Sequence, residues 1–180
     1  MIDVHVFDNI IDLEYQHKIK QLFLSSYFPW YFVEDVSTTG YSFGQSRNGF
    51  FHNFVMDEKV NSDYHLDILP LIEKSLNKVD YKFTKIIRGR TFFQLPLKNI
   101  KNRNIVDTPH IDMDEDHVVV LYYVMDNEAR TIIYEDDTAT KIKKTIKPKQ
   151  GRVVIFNGKY WHTAEQPKKN KRCIINYDIV

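Results

Sequence analysis

Cysteine is nearly absent from the 180-residue chain. Cys173 stands alone, which excludes an internal disulfide and points to a reducing compartment. An excess of one charge is missing as well. With 25 Lys and Arg against 24 Asp and Glu, the net charge of +1 gives no bulk electrostatic case for a nucleic-acid or membrane partner. No apolar stretch approaches the ~20 residues of a membrane helix, and "MIDVHVFDNI" lacks the basic start and apolar core of a signal peptide. Internal repeats, low-complexity tracts and Gly/Ser linkers are absent too, so nothing divides the chain. These absences predict one soluble, cytoplasmic domain over residues 1–180, long enough to bury a sizeable core.

What the chain does have is aromatics, 12 Phe and 11 Tyr, which favour strands over a bare helical bundle. Up to about residue 80 helical support is expected. Ile11, Tyr15, Ile19, Leu22 and Phe23 recur at helical spacing with Asp8 or Asp12 as cap. Ile68, Ile72 and Leu76 define a second helix, with Ser62 as cap and Pro70 in its first turn or at a kink. Between the two, "STTGYSFGQSRNGFFHNF" (37–54) reads as a long, lid-like loop. From about residue 81 short β-branched and aromatic runs take over, among them "HVVVLYYVM", "RTIIYE", "GRVVIF" and "RCIINYDIV". Turn signals separate them and no helix intervenes, which argues for an antiparallel sandwich or barrel. The expected architecture is mainly β with N-terminal helices, around a jelly-roll or cupin-like double-stranded β-helix.

Costly polar residues sit at the ends of these apolar runs. In "TPHIDMDEDHVVV", His110 and Asp112 are two apart, so in an extended segment they share a face while Ile111 turns to the other layer. His162 follows Asp112 by 50 residues, and Arg172 opens the last strand ten residues later. On that strand Arg172, Ile174 and Asn176 share one face, and Cys173, Ile175 and Tyr177 the other. Taken singly, these residues read as a turn histidine, a capping aspartate, a hairpin histidine and a rim arginine. Taken together, two His and one carboxylate on a β scaffold form a facial triad that leaves coordination positions open on Fe(II). An arginine entering a core calls for an anion, such as a carboxylate held in two-pronged fashion.

"HID", "WHTAEQPKKNKR" and Arg172 together resemble the pattern of the 2-oxoglutarate/Fe(II)-dependent oxygenases. The likeness is to the prolyl-hydroxylase-like branch, including small versions carried by phages, and it covers roughly residues 85 to 180. It implies that His110, Asp112 and His162 hold Fe(II), and that Arg172 binds the far carboxylate of 2-oxoglutarate. Tyr123, the second tyrosine of "VVVLYYVMD", would bond that carboxylate too. Gln94 stands where the branch carries a Tyr or Asn, and "YYVMD" lacks the branch's closing asparagine. The implied activity is hydroxylation by O2, with ascorbate as reductant and release of succinate and CO2. The substrate would be a peptidyl residue such as proline, or a small molecule. Nucleic-acid demethylation ranks low, because "RCIINYDI" lacks the second arginine of that branch. Asp112 disfavours a halogenase. From a different class, a metal- or ligand-binding β-barrel without turnover remains as the alternative.

The other polar residues have plainer readings. Arg88 and Arg90 alternate with Phe92 and are candidates for the substrate entrance, or for an exposed strand face. Trp161, beside Tyr160, is a candidate substrate wall or a packing residue. His117 reads as a strand-entry residue, and His5, His17, His52 and His65 as surface or packing residues. Cys173 reads as a small core hydrophobe, and "TKIKKTIKPKQ" as a solvated edge strand blocked by lysines.

Overall fold

Side chains on a strand alternate between faces, and here both faces of the central strands are apolar, so two cores form. In β6 (Val118–Tyr123) all six residues are buried. Val118, Val120 and Tyr122 face one core, and Val119, Leu121 and Tyr123 the other. β9 (Arg152–Asn157) repeats this with Val153 and Ile155 against Val154 and Phe156. The computed structural model describes residues 2–34, 36, 48–96 and 106–180.

The remaining strands are β1 (His5–Asp8), β2 (Tyr31–Val33), β3 (Gly49–Met56), β4 (Lys59–Val60), β5 (Ile86–Gln94), β7 (Thr131–Tyr134), β8 (Ile142–Ile146), β10 (His162–Ala164) and β11 (Arg172–Ile179). The larger sheet runs β1-β9-β6-β11-β5-β3-β2, with β4 attached to β3, and the smaller runs β10-β7-β8. Every pairing is antiparallel. Ile133 and Ile146 of the smaller sheet pack on the inner face of the larger one. Two helices, α1 (Leu13–Leu24) and α2 (Tyr64–Asn77), cover its outer face. The result is the expected mainly-β double-stranded β-helix backed by helices.

The helices are held by packing more than by their ends. Ile68, Leu71, Ile72 and Leu76 of α2 are buried completely or nearly so. At ~1.5–3 kcal/mol each they supply about 6–12 kcal/mol before entropy, whereas a cap contributes ~1 kcal/mol. The α1 cap is Asp12, which accepts from the Tyr15 backbone N–H at 2.8 Å. For α2 the expected Ser62 cap is wrong: the N-cap is Asp63, and its side chain makes no capping bond. Pro70 lies inside α2 rather than in its first turn, leaving the Leu66 carbonyl without its helical donor.

The first 60 residues also hold more than helices and a loop. β1, β2, β3 and β4 all join the larger sheet, and β3 sits beside β5 in its interior. The expected loop 37–54 is therefore corrected at its end, since residues 49–54 are strand; residues 37–47 lie outside the described set. The lysine-rich β8 is an edge strand, with Ile142 exposed and Ile146 buried, as its composition predicts. Among the described residues, no helix is long and apolar enough to cross a membrane.

Candidate metal centre and co-substrate cavity

The register of β5 against β11 decides what faces the space between the sheets. Arg88 pairs with Asp178, Arg90 with Asn176, Phe92 with Ile174 and Gln94 with Arg172. The inward face is thus polar at both ends, with an apolar step between, and it forms one wall of a cavity of about 480 Å³. The segment before β6 and strand β10 close the opposite side. His110 and His162 form an antiparallel bridge, exchanging backbone bonds of 3.0 and 2.9 Å. Their rings consequently lie side by side, with centroids 4.7 Å apart. Asp112 completes the group, and one ligating atom from each of the three residues lies within 4.8 Å of the others. Beyond His110 the chain leaves the bridge at once, so Ile111 also lines the cavity instead of turning to the other layer.

Hydrogen bonds preset the donors. His110 Nδ1 lies 2.9 Å from the Thr108 carbonyl, and His162 Nδ1 lies 3.2 Å from the Tyr160 carbonyl. Each Nδ1 therefore carries the proton, and each Nε2 is left with a free lone pair, the tautomer a metal requires. His162 Nε2 stands 3.4 Å from Asp112 Oδ2. The opposite oxygen, Oδ1, accepts from Arg90 Nη2 and from Arg88 Nη2, the latter at 3.2 Å. Asn176 Nδ2 donates to Oδ2 at 3.2 Å.

Burial raises the Asp112 carboxyl pKa, but Arg90 and the two imidazoles outweigh it and hold the group well below the usual carboxylate range. Burial, reinforced by His162, pushes His110 down to about 4. Burial also works against a charged His162, yet the Asp112 carboxylate overcomes it and raises this histidine above its ordinary value. The triad thus offers an ionised carboxylate and one imidazole that stays neutral far into acid.

Arg172 sits at the other end of the cavity wall and is only 5% exposed. Nη1 donates to Gln94 Oε1 at 3.1 Å, Nη2 reaches Thr131 Oγ1 at 3.5 Å, and Nε has no partner. Gln94 Nε2 is likewise buried without a partner. Burial pulls the guanidinium pKa down. Among the described residues Arg172 makes no salt bridge, an expensive state for a buried cation unless an anion joins it. Tyr123 is fully buried and donates to Thr131 Oγ1 at 2.7 Å, so Thr131 rather than Tyr123 lines the cavity at this point. Trp161, expected as a substrate wall or a packing residue, is not among the residues that line the cavity; its carbonyl accepts from the Tyr134 backbone N–H at 2.8 Å.

No protein-family model and no curated protein matches the chain in sequence. Solved structures do match. A 2OG-Fe(II) oxygenase family oxidoreductase from Burkholderia pseudomallei superposes with TM-score 0.73 at 12% identity, over 98% of this chain and 84% of that one. The 2-oxoglutarate complex of the viral collagen prolyl hydroxylase of Paramecium bursaria Chlorella virus-1 gives 0.60 at 16% identity, over 99% and 96%. A prolyl hydroxylase from Trichoplax adhaerens, in complex with a hypoxia inducible factor peptide fragment, gives 0.67 at 14%, over 98% and 82%. The fold is that of the 2-oxoglutarate/Fe(II) oxygenases. On this oxygenase fold the sequence-derived His110, Asp112, His162, Gln94 and Arg172 all reach one cavity.

Some residues at this cavity carry no sequence signal strong enough to single them out. Asn53 and Met56 of β3 line it from the stretch read as loop or left unassigned. Asp107 lines it too, held by Gln166 Nε2. Asp178 is wholly buried behind Asp112. It continues the Arg172, Ile174, Asn176 face, and an acid inside "CIINYDIV" was the available clue. His117 is buried and outside the cavity, with Nδ1 2.8 Å from the Glu115 carbonyl and Nε2 4.0 Å from Asp178 Oδ1. Asp112, His117 and Asp178 also cluster closely enough for a cation, but Arg88 and Arg90 already supply two positive charges to those carboxylates. His5 and His17 are exposed, while His52 and His65 bond the Pro29 carbonyl and the Tyr177 hydroxyl. Cys173 is a buried core residue whose thiol is pushed up to about 12 by burial.

Proposed function

We propose that the protein is an Fe(II)- and 2-oxoglutarate-dependent dioxygenase that hydroxylates a peptidyl residue such as proline, or a small molecule, with release of succinate and CO2. The observation that carries this reading is the meeting of His110, Asp112 and His162 in the same cavity as a buried arginine that makes no salt bridge among the described residues. The donor set fits the metal: two neutral imidazole nitrogens and one carboxylate oxygen leave positions open for a chelating co-substrate. The orphaned Arg172 Nε and Gln94 Nε2 fit the co-substrate, since a carboxylate would accept from both. When bound, iron and 2-oxoglutarate supply the activation of O2 and the oxidising power.

The chain's own residues bind, orient and exclude water. The Thr108 and Tyr160 carbonyls fix the two imidazoles, and Arg88, Arg90 and Asn176 fix Asp112. Phe92 and Ile174 form the apolar step between metal end and anchor end. The solved prolyl hydroxylases support a peptide substrate by likeness of fold alone. The test is succinate formation from 2-oxoglutarate with Fe(II), O2 and ascorbate as reductant. Wild-type protein should form succinate, and Asp112→Ala and His162→Ala should not. No succinate from metal-loaded wild type, with or without a peptide and metabolite panel, would favour a binding module without turnover.

A further inference from the structure

We propose that Asp178 is a positioning residue of the metal centre, acting through Arg88 to hold Asp112 as a one-oxygen ligand. The inference rests on the metal reading above. Asp178 is 0% exposed, two residues beyond Asn176 on β11 and directly opposite Arg88 on β5. Its Oδ2 accepts from Arg88 Nε at 2.7 Å. Through Nη2 the same guanidinium reaches the Asp112 backbone carbonyl at 2.9 Å and Asp112 Oδ1 at 3.2 Å. Arg90 Nη2 donates to that same Oδ1. A carboxylate oxygen has two lone-pair directions, so two guanidinium donors fill Oδ1. Among the described residues Oδ2 receives only Asn176 Nδ2, and it keeps a direction open toward His162 Nε2, 3.4 Å away.

Two physical effects of Asp178 act in the same direction. The first is alignment. The Arg88 side chain is 22% exposed at the cavity, and a long flexible side chain there needs a second anchor to present Nη2 at one angle. Asp178 supplies it with a charge-assisted bond from Arg88 Nε, 2.7 Å long. The second is charge. Arg88 and Arg90 together would repel a divalent cation arriving at Asp112, and the Asp178 carboxylate offsets one of them. A buried acid that served packing alone would be cheaper as a hydrophobic residue.

Cobalt(II) is the probe, titrated into metal-free full-length protein and read by its visible absorption. Circular dichroism and thermal melting report whether each variant is folded. Asp178→Asn is expected to weaken cobalt binding roughly ten- to a hundredfold, the usual range for a lost outer partner of a metal ligand, and to change the shape of the absorption band. Arg88→Lys keeps the charge but cannot span Asp178 and Asp112 together, so it should give a similar loss. The double variant should be no weaker than the weaker single. Wild-type affinity and spectrum in either folded single variant overturns the proposal, and so do losses that multiply in the double. If Asp178→Asn does not fold, Arg88→Lys at its partly exposed position decides alone. Asp112→Ala separates the two readings. Cobalt binding that survives it defeats the metal centre itself. Loss there, with binding intact in Asp178→Asn and Arg88→Lys, defeats only the role of Asp178.

Discussion

Replacing Arg172 by Met should leave stability without co-substrate close to wild type while weakening co-substrate binding. The Arg172 residue is 5% exposed and, among the described residues, its guanidinium bonds only uncharged partners, Gln94 at 3.1 Å and Thr131 at 3.5 Å. Exchanging buried charge for an apolar side chain of similar size typically gains ~1–4 kcal/mol. Leaving Gln94 Oε1 without its donor costs ~1–3 kcal/mol. The two effects largely offset, so the protein without co-substrate should lie within about 3 kcal/mol of wild type in either direction, and each kcal/mol moves the melting temperature of a chain this long by about 2–4 °C. Co-substrate binding should suffer instead. A charge-assisted bond to the 2-oxoglutarate carboxylate contributes roughly 1.5–3 kcal/mol, equivalent to a ten- to hundredfold weaker Kd. Melting of manganese-loaded protein with and without 2-oxoglutarate reads both quantities. At about 100 times the wild-type Kd the co-substrate stabilises wild type by ~2.7 kcal/mol, and a variant bound a hundredfold more weakly by only ~0.4 kcal/mol. Two results would refute the reasoning: a large fall in melting temperature without co-substrate, making Arg172 a structural strut, or an undiminished rise on adding 2-oxoglutarate.

Metal affinity should fall in acid in two stages. His162 lies above its ordinary value and Asp112 well below its own, so below the His162 pKa a single proton competes with the ion, about tenfold per pH unit. The slope should double only near pH 4, where His110 begins to charge; manganese titrations across this window that give a flat profile would contradict it. Gly158→Ala should destabilise the fold by about 1–3 kcal/mol through overpacking, because a Cβ at 158 would run into the His117 imidazole, and a wild-type denaturation midpoint would show that the two do not pack so closely. Tyr122→Phe and Tyr123→Phe should differ although the residues are adjacent. The Tyr122 hydroxyl is buried without a partner, so its removal is neutral or stabilising, whereas Tyr123→Phe loses the Thr131 bond and about 1 kcal/mol. Equal effects in urea unfolding would rule out the assignment.

Local pattern determined the parts of this molecule that repeat at short range. Continuous apolar runs in β6 and β9 specified buried strands, and two-residue alternation in β11 placed Arg172, Ile174 and Asn176 on one side. Helical spacing specified the buried faces of α1 and α2. Order and spacing of His110, Asp112, His162 and Arg172 pointed to the oxygenase pattern, because strand geometry and metal chemistry each restrict which residues can serve. The strands of the first 60 residues escaped notice for a physical reason. β1, β2 and β4 span two to four residues, too few for a period to register, and β3 follows directly on a polar Gly- and Ser-containing stretch.

Only the tertiary structure decided what lies across from what. The His110–His162 bridge joins segments 52 positions apart in number, 110 against 162. The Arg88–Asp178 and Arg90–Asn176 pairs depend on the β5–β11 register. A one-residue slip of β5 against β11 would turn both arginines to the opposite core. Register is set by the whole sheet and its turns, not by the residues that meet, so the support behind Asp112 became visible only once the strands were paired.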